Sequence, residues 1–427
     1  MTLISSVRGM RDLLPADTGE WRRVESAAAD CFARYGYGEI RTPVVERAEL
    51  FRRQLGEDSD IVQKEMYAFA DLSGDELCLR PEATVPAVRA AAAANLHRGG
   101  VARVWYGGPM FRRERPQKDR YRQFWQLGAE AIGAGAPDPA IDAEQILMAA
   151  RLWRELKVDS SLQLFINNLG APAERAAYRK KLSAHFRRRA ADLDDSARAR
   201  IDDNPMRILD GKDAAAVAAA KDAPQLREFL GAESRRHLEE VQNILAAAGI
   251  EFTETPSLVR GLDYYNLTVF EWALKDDGRR QNALCGGGRY DGLSAQIGGP
   301  PLHGCGFALG LDRLVALTQS SAAAPPDCIL LAAGGGAEYC IRAAESLRDG
   351  GISVRRHDGG GNIGKQLKKA DAAGSPLAAI VGENEEKCGT IAIKRMRDGA
   401  QKSPPLARAA AVAAAFLAGD DTENNDE

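Results

Sequence analysis

The stretch Phe111–Glu130, FRRERPQKDRYRQFWQLGAE, sets six cationic side chains around a turn and then runs into an alternating strand. Read as two strands joined by a basic loop, it puts Arg112 on one arm. Phe124, Gln126, Gly128 and Glu130 then share one face of the other arm, because side chains alternate across a strand. Trp125, Leu127 and Ala129 fall on the opposite face and read as core. One surface thus carries a guanidinium suited to phosphate or carboxylate, an aromatic plate, an amide and a carboxylate. Such a mixture suits a small zwitterion and a nucleotide held side by side. Taken alone, the stretch reads equally well as a solvated charge run.

The rest of the chain narrows the choice. A length of 427 residues calls for two or three domains, and 45% hydrophobic with 27% charged residues describes a globular protein. The N-terminus has no signal-peptide pattern and no apolar run is long enough to cross a bilayer, so a cytoplasmic protein without a membrane partner is expected. Seven cysteines, scattered singly without CxxC or a histidine cluster, argue for a reducing compartment and against a zinc site. A net charge of −3 leaves polyanion binding to local basic patches.

Trp21, Val24, Ala28, Cys31 and Tyr35 recur at helical spacing until Gly36, and a strand is expected over 39–42, ended by Pro43. LRPEAT (79–84) places Glu82 and Thr84 on one side of an extended segment, and helices are expected over 87–95 and about 140–156. From about 171 to 250 the composition turns helical and Ala/Arg/Asp-rich, as in an inserted helical domain. Strands return at 258–274 and 281–290, and 304–317 passes from strand to helix. Beyond a linker at 322–326, strand–helix alternation argues for a small parallel-type α/β domain, and the acidic end from 419 reads as disordered.

Four segments share one style, an apolar strand followed by a polar cluster: LRPEAT, the opening stretch, LVRGLDYYNLTVFEW (258–272), and CGGGRYDGL (285–293) with GCGFALGLDRL (304–314). Each is weak by itself, since glycine runs usually mark turns and GCGFALG is not a dinucleotide fingerprint. Together they resemble the histidyl-tRNA synthetase family of the class II aminoacyl-tRNA synthetases, in its bacterial form. The opening stretch is similar to the second class motif, GFALGLDRL to the third, and the element ending at Pro43 to the first. LVRGLDYY is similar to a signature peculiar to the histidine enzymes, while RGMRDLLP (8–15) and GGGNIGKQ (359–366) also match.

The resemblance implies an α/β fold whose α+β catalytic core is an antiparallel sheet flanked by helices. Its domains would be a catalytic domain over 1–170 and 251–321, a helical insertion over 171–250, a mixed α/β anticodon-binding domain over 327–418 and a disordered tail over 419–427. It implies a homodimer acting on L-histidine, histidine tRNA and ATP with Mg²⁺. Arg112 and Arg260 would be catalytic, flanking the α-phosphate, with Arg120, Phe124 and Arg313 also on ATP. Glu82, Ala83 and Thr84 would take the α-ammonium of histidine, and Glu130, Tyr264, Gln126, Tyr265 and Tyr290 the imidazole, with Arg112 and Arg260 at the carboxylate. Arg115, Gln117 and Arg122 would meet the tRNA acceptor end, and Lys365, Lys368 and Lys369 the anticodon stem-loop. No protein metal site is implied.

Asp119 stands where bacterial relatives usually have glycine, Trp125 where histidine is usual, and Leu267 where arginine is usual; the first bears on acceptor-end recognition. Two other readings are a catalytically silent regulatory subunit of histidine biosynthesis and an adenylate-forming enzyme with a non-tRNA acceptor. The first fits poorly with a chain that keeps Arg112, Arg260, Arg313 and 327–417.

Overall fold

Helix Pro15–Arg34 opens on proline, which loses no hydrogen bond in a first turn, and the Asp17 carboxylate accepts the Leu14 N–H. Trp21, Val24, Ala28, Cys31 and Phe32 form its buried stripe, and Gly36 ends it at φ +78°, a left-handed conformation that favours glycine. The computed structural model describes residues 3–420 apart from 56–60, 115–119, 136, 210–213, 260–263, 276–282, 319–324, 335 and 358–361. The chain divides into two compact units, Met1–Ser321 and Ala322–Glu427.

In the first unit the strands are β1 (Gly38–Glu39), β2 (Val45–Arg47), β3 (Tyr67–Ala70), β4 (Glu76–Leu79), β5 (Ala102–Phe111), β6 (Gln123–Gly133), β7 (Leu162–Asn168), β8 (Thr253–Glu254), β9 (Asn266–Leu274), β10 (Ala283–Arg289) and β11 (His303–Gly310). Eight of them make one sheet in the order β1-β5-β6-β11-β10-β9-β7-β8, and β2-β4-β3 make a small antiparallel one. The large sheet is antiparallel except for its two outermost pairs. The expected strand over 39–42 is only Gly38–Glu39, and β9 begins at Asn266 rather than at 258.

One face of the sheet is covered by helices Pro15–Arg34, Pro139–Glu155 and Ala232–Ala247. Phe32, Trp153, Leu238 and Val241 meet Leu127, Ala129, Phe270 and Phe307 there in one apolar core. Burial on this scale, at about 25 cal/mol per Å² of apolar surface, is the main force holding the sheet against its helices. Arg289, 2% exposed, ends β10 in an ion pair with the fully buried Asp142, which also accepts from His237 at 2.7 Å. Among the described residues 172–247 hold only helices, the last of which belongs to the main core.

In the second unit β12 (Cys328–Ala333), β13 (Val354–Arg356), β14 (Leu377–Gly382), β15 (Ala392–Arg395) and β16 (Gln401–Lys402) run in the order β13-β12-β14-β15-β16. The first three are parallel, whereas β15 and β16 add antiparallel edges that the strand–helix alternation does not reveal. The alanine-rich segment at the end is helix Leu406–Ala418, which buries Ala409, Ala413 and Phe416. All seven cysteines are free, and six are buried.

Candidate active site

The alternation of the opening stretch is realised in β6, which pairs with β5 from Phe111↔Gln123 to Ala102↔Ile132. Trp125 turns to the packing face and meets Trp21 edge-on at 5.6 Å, beside the buried Leu127 and Ala129. On the other face a Cβ added to Gly128 would lie 2.3 Å from the Tyr106 hydroxyl, and one on Gly306 of the neighbouring β11 would lie 1.7 Å from Glu130 Oε2. Those two glycines leave room for a carboxylate and a phenol inside the sheet.

Glu130 is fully buried. Its Oε1 accepts from Thr84 Oγ1 at 2.7 Å and Tyr106 OH at 3.1 Å, and its Oε2 from Tyr290 OH at 2.6 Å. Burial raises its pKa to about 8, opposed by these three hydroxyls and assisted by Glu82. In its ionised form Oε2 keeps a second lone pair, enough for one more donor. Tyr264 and Tyr265 are buried with ring centroids 4.6 Å apart, and Tyr264 meets Tyr290 edge-on at 5.9 Å. The Tyr264 hydroxyl is buried without a partner at hydrogen-bonding geometry among the described residues, and desolvation, then Tyr265, Glu82 and Glu130, push its phenol upward.

Glu82 and Thr84 do not lie on an extended segment. Thr84 begins helix Thr84–Ala93, and Glu82 caps it by accepting the Thr84 N–H at 2.8 Å and the Val85 N–H at 3.0 Å. Burial nonetheless lifts the Glu82 carboxyl above its ordinary range. The Ala83 methyl packs with Ala87, Tyr106 and Met110, which leaves its backbone as the part able to meet a ligand.

Beside this pocket opens a cleft of about 200 Å³, lined by Arg112, Glu114, Arg120, Tyr121, Phe124, Gln126, Gly310, Asp312 and Arg313 among others. Arg112 lies 5.3 Å from the Phe124 ring centroid and donates through Nε to Pro81 O at 2.8 Å. Burial lowers its pKa, opposed by Glu65, Glu82 and Tyr264, so it stands between the enclosed pocket and the cleft. Burial also lowers Arg120, and the nearby Arg112 and Arg313 act in the same direction. Arg120 pairs with Glu114, and Arg313 donates to Ala283 O at 2.7 Å from the first turn of helix Leu311–Leu317. Three guanidiniums gathered against an aromatic plate suit a polyphosphate with a base attached. The Gln126 Oε1 is buried there without a partner among the described residues.

The structure therefore brings Glu82, Thr84, Glu130, Tyr264 and Tyr290 to one pocket and Arg120, Phe124, Gln126 and Arg313 to the adjoining cleft, with Arg112 between. Arg122 is held apart by the carbonyls of Glu114 at 3.2 Å and Arg8 at 3.4 Å. Arg115, Gln117, Asp119 and Arg260 lie outside the described residues. Tyr106 was not foreseen, although a tyrosine directly across from Gly128 in the β5–β6 register is the signal that could have found it. No group of three or more His, Cys, Asp or Glu is placed to hold a metal ion among the described residues.

The sequence profile described as Histidyl-tRNA synthetase matches residues 9–314, and that described as Anticodon binding domain matches 327–415. The chain is 48% identical over 405 residues to the histidine–tRNA ligase of Nitrosomonas europaea, covering 93% of this chain and 96% of that one. It is 47% identical over 408 residues to the histidine–tRNA ligase of Halorhodospira halophila, with 94% and 96% covered. Among solved structures, the apo histidyl-tRNA synthetase of S. aureus is 32% identical with a TM-score of 0.79, covering 97% of this chain and 100% of that one. Profile, near-full-length relatives and sheet agree, and the chain belongs to the histidyl-tRNA synthetase family.

Proposed function

We propose that this protein is a histidine–tRNA ligase, which joins L-histidine and ATP into histidyl-adenylate and pyrophosphate and passes the histidyl group to the 3′ end of histidine tRNA. The observation that carries the reading is the adjacency, on one face of β6, of an enclosed carboxyl with one acceptor position left and a cleft of three arginines around Phe124. An imidazole with one N–H fits the first, and a nucleoside triphosphate fits the second. Amino acids lacking that N–H would leave the buried groups unpaired, at about 1–3 kcal/mol per group.

In this reading Arg112 would hold the α-phosphate beside the histidine carboxylate, where attack brings two anions together, and Arg260 would approach from the other side. Arg120 and Arg313 would hold the outer phosphates and Phe124 would stack on adenine. Glu82, the Ala83 backbone and Thr84 would take the α-ammonium, while Glu130, Tyr264 and Tyr290 would read the ring, with Gln126 and Tyr265 beside them. Mg²⁺ would arrive on the nucleotide and neutralise its phosphates. The two cleft carboxylates, Glu114 and Asp312, are already engaged by arginines, which suits an ion carried mainly by phosphate oxygens.

Arg115 and Gln117 would meet the acceptor end, and Arg122, tied to two carbonyls, would shape the base of their loop. The helical segment 171–250 would be an insertion in a catalytic domain of 1–170 and 251–321. The 327–418 domain would bind the anticodon stem-loop, and the active form would be a cytoplasmic homodimer. No helix among the described residues is long and apolar enough to cross a membrane.

The test is histidine-dependent ATP–pyrophosphate exchange followed by charging of a histidine tRNA transcript, with Arg112→Ala as control. Exchange and charging by the wild type, with exchange reduced by about 100-fold or more in the variant, are expected. An absence of exchange overturns the enzyme reading, and exchange without charging overturns the tRNA acceptor.

A further inference from the structure

Apart from the Arg8 carbonyl that accepts from Arg122, the segment Arg8–Pro15, RGMRDLLP, has no part in the contacts proposed above, yet Arg11 stands against two residues that line the cleft, Tyr121 and Asp312. Gly9, at φ +86°, turns the chain so that its carbonyl accepts the Arg122 N–H at 2.7 Å, at the foot of β6. Arg11 then reaches Asp312, just beyond the end of β11. Its Nη2 donates to Asp312 Oδ1 at 2.9 Å, and its guanidinium lies 4.4 Å from the Tyr121 ring centroid and 5.9 Å from that of Trp21.

The other oxygen of Asp312 accepts the Trp125 N–H at 2.9 Å. The β6–β11 ladder ends at Gln126↔Gly310, and across β5 Trp125 faces Pro109, which has no N–H. The Asp312 carboxylate therefore supplies one further rung, joining the start of β6 to the helix that carries Arg313. That places a carboxylate on the wall of a cleft otherwise arranged for a polyanion. Asp312 is nearly buried, at 6% side-chain exposure, so its field is poorly screened by water.

We infer that Arg11 is a positioning residue for the nucleotide: it offsets the charge of Asp312 beside the phosphates and, through it, holds Tyr121–Trp125 and Arg313 in one wall. This rests on reading the cleft as the ATP site. Without Arg11, Asp312 would still complete the ladder but would repel the triphosphate at close range.

The full-length chain is titrated with ATP by calorimetry and assayed for exchange, as wild type, Arg11→Ala, Arg11→Lys and Arg11→Ala/Asp312→Asn, each checked by thermal melting. Arg11→Ala is expected to weaken ATP binding and raise its KM about tenfold with histidine KM unchanged. The lysine variant should keep most of the affinity. In the double variant, the amide oxygen introduced by Asp312→Asn can still accept the Trp125 N–H without a charge, so it should recover most of what Arg11→Ala loses. A merely structural role would make the double variant no better than the single one, and that result overturns the inference. So does an ATP affinity within twofold of wild type in Arg11→Ala, or an equal rise in both KM values. If the wild type binds ATP but gives no exchange, the ligase reading fails while Arg11 is still judged on binding. If the wild type binds no ATP, both fail.

Discussion

Glu130 is a carboxyl held by three hydroxyls, with no ion pair among the described residues. Its pKa is raised from 4.5 to about 8, so the folded chain holds a proton that the unfolded chain has released across that interval. Stability must then fall as pH rises through that window and level off above it. Glu130→Gln removes this titration. The difference in Tm between wild type and Glu130→Gln is expected to move in the variant's favour from about pH 5 to about pH 8 and to stay flat beyond, with a constant difference refuting the assignment. The side of β6 on which Glu130 stands was legible, because a strand leaves only two choices and apolar neighbours at Leu127 and Ala129 claim one of them. What surrounds it was not. Tyr106 lies 24 residues away on β5, and no local pattern says which hydroxyl a buried carboxyl will find.

Adjacent residues of β11 serve opposite faces, so substitution there separates packing from recognition. A Cβ on Gly306 would meet Glu130 Oε2 at 1.7 Å and the Ala129 carbonyl at 2.5 Å, and the second of these is backbone that cannot swing aside. Gly306→Ala is expected to cost about 3 kcal/mol or more and to abolish histidine-dependent exchange, as read by denaturant midpoint and initial rate. Phe307, 1% exposed, faces the helices. Phe307→Ala is expected to cost about 3–5 kcal/mol while leaving the histidine KM of the folded fraction unchanged. Equal effects of the two on histidine KM would show that the faces are not separate. At this scale the sequence revealed elements with a long period, such as Pro15–Arg34 and Pro139–Glu155. It did not reveal strands of two to four residues such as β2, β15 and β16, which are too short to display alternation. The helix expected over 87–95 starts three residues earlier, at Thr84, and that first turn was missed because a carboxylate two residues upstream does the capping, where the usual signal is a polar residue at the cap itself.

The two units offer a division of labour that can be checked in the full chain. Lys368 and Lys369 are exposed on helix Ile363–Ala372 of the second unit, far in sequence from the cleft. Lys368→Glu with Lys369→Glu is expected to lower tRNA charging about tenfold at moderate salt, flatten its salt dependence and leave exchange at the wild-type rate. Unchanged charging would remove that helix from the tRNA surface. The presence of two units was readable in the change from strand-rich segments to strand–helix alternation, but the order of strands in the large sheet was not, since side-chain alternation says nothing about neighbours distant in sequence. That order carries a consequence for how the chain comes into being. β11 lies between β6 and β10, yet it is made long after β6. The interval from Gly133 to His303 takes roughly 10–30 s to synthesise at ~5–20 residues per second. Throughout it the growing chain carries the β5–β6 hairpin with the long edge of β6 unpaired, and for most of it, until Tyr290 is made, a carboxyl short of its third hydroxyl. Such an edge invites pairing with other nascent chains. The candidate pocket is therefore among the last parts of the first unit to be completed on the ribosome, and the hairpin is most exposed to misassembly before β11 arrives to cover its edge.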